Sequence, residues 1–147
     1  VERDPLYASI ISAQRSTPEA TGADAVSLAA RQMAETLSVA AIVTYTSTGN
    51  TGLRTARERP LLPIIALSPK VATARRLSIA WGLHCVVTED ATDLEGMVDK
   101  ACRVAVEQEL ARPGERVIVT AGVPLGTPGA TNMLRIAYIG SDGLSAV

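Results

Sequence analysis

Apolar residues recur along this chain with two different periods, and the switches between them predict its elements. Over 23–37, Val26, Ala29, Ala30, Met33, Ala34 and Leu37 fall three or four apart, while Arg31, Gln32 and Glu35 lie off that stripe. That spacing predicts an amphipathic helix. The runs at 40–44, 62–67 and 117–120 are short, continuous and rich in β-branched residues, the pattern of strands buried on both faces, and 85–87 adds a shorter one. Over 133–139 the pattern alternates: Leu134, Ile136 and Tyr138 take one face and Met133, Arg135, Ala137 and Ile139 the other.

Helices fill the gaps between these runs. A short one over 6–14 carries Leu6, Ile10 and Ile11 as a surface for a partner, and a second over 53–59 is ended by Pro60 and Pro63. Ser68-Pro69 reads as an N-cap followed by Pro at the first helical position. The helix it opens has Val71, Ala74, Leu77, Ser78 and Trp81 as its buried stripe, Trp81 as a core anchor and Gly82 as its left-handed C-terminal residue. Thr92 and Glu95 form a capping box for a helix reaching about 110, with Leu94, Met97, Val98, Ala101, Ala105 and Val106 as its apolar side. This order predicts one α/β domain over 1–147, a three-layer α/β/α sandwich whose five-stranded, mostly parallel sheet ends in an antiparallel strand.

Composition narrows the functions open to such a fold. Of 147 residues, 47% are hydrophobic, but only 3% are aromatic and none is Phe, so Ala, Val, Ile and Leu must build the core. A net charge of -1 and the lack of any Lys/Arg cluster disfavour nucleic acid as a partner. Cys85 and Cys102 have no second Cys or His at metal spacing and read as reduced core thiols. No signal peptide or long apolar run is visible, which gives the expectation of a cytoplasmic chain away from membranes.

Candidate chemistry lies in two loops at the carboxyl edge of the expected sheet, where ligands of open parallel sheets bind. In the turn Thr46, Ser47, Thr48, Gly49, Asn50, Thr51, hydroxyls and the free N–H groups of a helix start converge, an arrangement suited to phosphate. A Ser/Thr-rich cap that binds nothing is the alternative. The connector over 122–131 holds Gly122, Val123, Pro124, Gly126, Thr127, Gly129 and Thr131, residues that set sharp backbone angles and leave donors exposed. It is long for a hairpin, though a plain hairpin loop is the alternative. Neither loop is a Walker or GxGxxG motif. Glu89, Asp90 and Asp93 read as acidic residues favouring a helix dipole rather than as a metal or acid/base cluster. No catalytic set stands out: no Ser has a nucleophile motif, no carboxylates are spaced for acid/base work, and His84 lies on a strand with no visible partner.

Taken together, ERDPLY, PEATGADAVSLAARQMAETL, TSTGN, RPLLPIIALSP, TARRLSIAWG and VIVTAGVPLGTPGATNMLRI, which run from Glu2 to Ile139, resemble the C-terminal domain of bacterial pyruvate kinases. The resemblance implies a regulatory and subunit-assembly domain of a glycolytic enzyme that makes pyruvate and ATP from phosphoenolpyruvate and ADP. It implies a preceding catalytic barrel holding the Mg²⁺ and K⁺ sites, with no cofactor and no catalytic residue in the present chain, which alone is expected to be inactive. It also implies a homodimer or homotetramer built through this domain, and a phosphorylated effector bound by Thr46 to Thr51 and by the connector from Gly122 to Thr131. Asn50, Val123 and Pro124 stand where fructose-bisphosphate-binding members carry basic or Trp groups, and the GVPxG form resembles members that respond to AMP or sugar monophosphates. Two other classes remain open: a dimerisation module without a ligand, and a free-standing phosphate- or nucleotide-binding α/β protein.

Overall fold

The computed structural model describes residues 2–127 and 131–146. Its elements are α1 (Tyr7–Ala13), α2 (Gly22–Thr36), β1 (Ala41–Tyr45), α3 (Asn50–Arg57), β2 (Ile64–Ser68), α4 (Val71–Leu77), β3 (Leu83–Val87), α5 (Leu94–Glu107), β4 (Arg116–Gly122), β5 (Thr131–Ile139) and β6 (Ser145–Ala146). One sheet runs in the order β3-β2-β1-β4-β5-β6, parallel from β3 to β4 and antiparallel at β5 and β6. The expected sandwich is present, with six strands rather than five. The sixth was missed because two residues are too few to show a period.

The alternation of strand side chains divides the core in two. Val98, Ala101, Cys102 and Ala105 of α5 pack on Val43, Ile65, Leu67, Val117 and Val119, whereas Ala30 of α2 packs on Ile42 and Ile118 across the sheet. The α3 residue Gly52 faces Ala66 and Leu77, which sets α3 and α4 on the α2 side. From β1 the chain steps outward through α3 and α4 to β2 and β3, then returns through α5 over the opposite face to β4. The connections leaving β1 and β4 therefore diverge, and a crevice opens between the carboxyl ends of these neighbouring strands.

Several local expectations are corrected. The N-cap of α4 is Lys70, not Ser68; Ser68 still belongs to β2, and its hydroxyl accepts from the Lys70 amide at 3.2 Å. Because α4 ends at Leu77, the helical stripe does not reach Ser78 or Trp81, and even Val71 is half exposed. Trp81 instead lies under the Arg59 guanidinium, 4.2 Å from its ring centroid, and its Nε1 donates to Glu2 at 2.8 Å. Gly82 is left-handed as expected, but five residues beyond the end of α4. Asp93, not Thr92, caps α5, accepting from the Gly96 amide at 2.7 Å. His84 does have a partner: its Nε2 lies 2.7 Å from Gln108 Oε1. Both cysteines are free; Cys102 is core, its thiol pushed up to about 11 by burial and then by Asp99, while Cys85 is half-buried.

Two surfaces stay without cover in the chain. No residue of α1 is buried, and Leu6 and Ile10 are exposed. Strand β6 meets β5 only at Tyr138 and Ile139. The Ile139 amide donates to Glu115 beside β4 and the Gly140 amide to Leu144 beside β6. By strand alternation, the amides of Leu134 and Ile136 then point to the open edge, short of the register shift that breaks the alternation at Asn132.

Candidate functional site

The turn after β1 is shaped by α4. The Thr46 amide donates to Leu67, extending the β1–β2 ladder, and the Thr46 hydroxyl accepts from the Gly49 amide at 2.9 Å. Gly49, at φ +93°, is the N-cap of α3. A Cβ there would stand 3.0 Å from the Arg76 guanidinium and 3.1 Å from Leu77, so glycine answers both the backbone angle and the close approach. Thr73 donates to the Ser47 carbonyl at 3.0 Å, and Arg76 donates to the Thr48 carbonyl. A trans peptide sets N–H opposite C=O, so carbonyls drawn toward α4 send the Thr48 and Gly49 amides the other way. The first bond within α3 runs from the Leu53 amide to Gly49, which leaves the amides of Asn50, Thr51 and Gly52 without helical acceptors.

The second wall comes from the end of β4 and the start of β5. A register shift at Ala121/Gly122 turns the chain out of the sheet. The hydroxyls of Thr51 and Thr131 meet at 2.7 Å in a buried setting, so α3 is joined to β5 across the floor. That pair uses one hydroxyl proton and leaves the other for a guest. Asn132 accepts from the Val123 amide at 2.8 Å and donates back to its carbonyl at 2.6 Å, tying the two ends of the connector together. On the third side stand Tyr45, Asp90 and Ala91. The Tyr45 hydroxyl donates to the Met97 carbonyl at 2.8 Å; burial first, and then Asp90, push its pKa well above the ordinary phenol value.

These walls enclose one cleft. Of the candidate residues it collects Thr46, Ser47, Thr48, Thr51, Gly122, Gly126, Thr127 and Thr131. The remaining described candidates are not brought to it. Gly49 turns its Cβ direction toward α4, Asn50 lines a separate depression with Arg54 and Arg57, Val123 and Pro124 are exposed, and Gly129 lies outside the described residues. Sequence reasoning missed Tyr45, Asp90, Ala91, Ala121 and Leu125 in the lining, and Thr73, Arg76 and Asn132 behind it. Asp90 reads in the sequence, with Glu89 and Asp93, as serving the start of α5, but only Asp93 caps that helix, three residues further on. The cavity holds about 60 Å³, against roughly 300–1,000 Å³ for whole-ligand pockets, so it fits a small head group with the rest of a ligand lying outside. Among the described residues no three His, Cys, Asp or Glu side chains converge where they could hold a metal ion. Nor is any described helix long and apolar enough to cross a membrane.

Residues 24–137 match the sequence profile of the family described as pyruvate kinase, alpha/beta domain. The chain belongs to that family. It is 54% identical over 139 residues to the pyruvate kinase of Methylorubrum extorquens, which takes in 95% of this chain and 29% of the relative. The pyruvate kinase of Agrobacterium vitis is 36% identical over 139 residues, with the same shares, and that of Geobacillus stearothermophilus 36% over 130 residues, covering 88% and 22%. This pyruvate kinase α/β domain thus spans under a third of the length of those relatives.

Proposed function

We propose that this domain is the regulatory and assembly part of a longer pyruvate kinase and binds a phosphorylated metabolite in the cleft between β1 and β4. The observation that carries the reading is the meeting, at the point where the sheet connections diverge, of a hydroxyl-rich turn, the open N-terminus of α3 and the β4–β5 connector. Anions favour such a helix end, each contact contributing about 0.3–1 kcal/mol, which is weak alone. Affinity must therefore come from the rest of the metabolite as well. The lining holds no Lys or Arg among its described residues, short of the cationic clamp that phosphoryl transfer uses. Transfer from phosphoenolpyruvate to ADP is assigned to the remainder of the longer protein.

Calorimetric titration of the pure chain with AMP, ribose 5-phosphate, glucose 6-phosphate and fructose 1,6-bisphosphate tests the reading. At least one should bind with a Kd below about 1 mM, and Thr48→Ala should weaken it by roughly ten- to a hundredfold, the loss of one hydrogen bond to a charged group. Failure of all four to bind the unaltered chain rules the reading out. In the longer enzyme the cleft would then be coupled to assembly through β5, since the connector ends where that strand begins.

A further inference from the structure

The cleft has two chemically different ends. One is made of donors: the amides at the start of α3 and the hydroxyls of Thr46, Ser47, Thr48 and Thr51. The other carries the carboxylate of Asp90, on the turn between β3 and α5. Of its acidic neighbours, Asp93 caps α5, and Glu89 accepts from Lys100 Nζ at 2.6 Å through its backbone carbonyl, not its carboxylate. Asp90 is exposed, and no side-chain hydrogen bond holds it among the described residues.

We infer that Asp90 is the specificity-determining residue of this cleft, selecting a monophosphate ester whose other end is a hydroxyl-rich sugar and rejecting a bisphosphate. The inference rests on the effector reading above and adds the class of effector to it. With the phosphate against the α3 amides, the sugar lies toward the β3–α5 turn. There its hydroxyls donate to the carboxylate in charge-assisted hydrogen bonds. A second phosphate in the same place meets a like charge with no Lys or Arg lining the cleft to separate them, and like charges at close range select against the wrong ligand. Tyr45 lines the cleft beside that carboxylate residue, and its hydroxyl is engaged by the Met97 carbonyl.

Two variants, Asp90→Asn and Asp90→Lys, test this by titration with glucose 6-phosphate, ribose 5-phosphate and fructose 1,6-bisphosphate. Position 90 is on an exposed turn, and circular dichroism confirms that each variant folds. In the unaltered chain a monophosphate should bind more tightly than the bisphosphate. Asp90→Asn should weaken the monophosphate by about tenfold and narrow the gap. Asp90→Lys should reverse the order. A monophosphate that binds the unaltered chain, with a preference unchanged in both variants, overturns the role of Asp90 and leaves the effector reading standing. Tighter binding of the bisphosphate by the unaltered chain does the same. No binding by any of the three removes this inference, and the reading beneath it falls too if AMP also fails.

Discussion

At the scale of single residues, the cleft depends on side chains that satisfy one another before any ligand arrives. Thr51 and Thr131 are both buried, and each gives the other its hydroxyl partner at 2.7 Å. Thr51→Val keeps the shape but leaves the Thr131 hydroxyl buried and unpaired, which costs about 1–2 kcal/mol. Thr131→Val should cost about the same, and the double variant less than the sum of the two, because no orphaned hydroxyl then remains. Urea denaturation of the four proteins checks this; single variants that lose no more than about 0.5 kcal/mol, the range of a neutral surface change, would count against it.

Among the elements, α2 and α3 are joined by a buried carboxylate. Asp24, in the first turn of α2, accepts from the Glu19 amide at 2.7 Å, from Arg57 at 2.6 Å and from Arg54, while its own amide donates to the N-cap Thr21. Burial pushes this carboxyl up, but the Glu19 amide and the guanidiniums of Arg54 and Arg57 outweigh it and hold the pKa at about 2, below the ordinary 3.8. A folded-state pKa below the unfolded one gives stability that is present above about pH 4 and is lost as pH falls through about 2. Asp24→Asn should lower stability at pH 7 by about 1–3 kcal/mol, and the loss should shrink toward zero as the pH approaches 2. Thermal unfolding of both proteins from pH 7 to pH 2 measures it, and parallel curves would remove the assignment. The helix of Asp24 was plain from its spacing, as were the buried strands, because 3.6 and continuous apolar periods are properties of the chain alone. Asp24 itself was invisible as a tether, since its partners lie 30 and 33 positions away on another helix. For the same reason the turn Thr46 to Thr51 could be found, but not Asp90, Thr73 or Arg76, which the fold brings to it from later elements. Trp81 was misplaced because a stripe was carried four residues past the true end of α4.

At the scale of the molecule, β6 covers only the end of β5 and leaves the rest of that strand's outer edge open. The amides of Leu134 and Ile136 face outward along β5, and Arg135 is the one charge on the strand. An edge of this kind invites pairing with another strand. Two copies meeting antiparallel through β5 would satisfy the same groups on both, as an isologous contact requires. Sedimentation of the pure chain at micromolar concentration should show a dimer, and Ile136→Pro, which deletes an outward donor, should give a monomer that keeps its far-ultraviolet circular dichroism. A monomer at every concentration would show that the edge is left bare. The Asn132–Val123 clasp has a wider consequence. By closing the neck of the connector with two hydrogen bonds, it holds the ends of β4 and β5 together whatever residues follow Pro124 in the loop. A change in the length or sequence of the stretch after Pro124 that stops short of Thr131 should then leave β4 and β5 in register, so the strands tolerate alteration of the loop they carry.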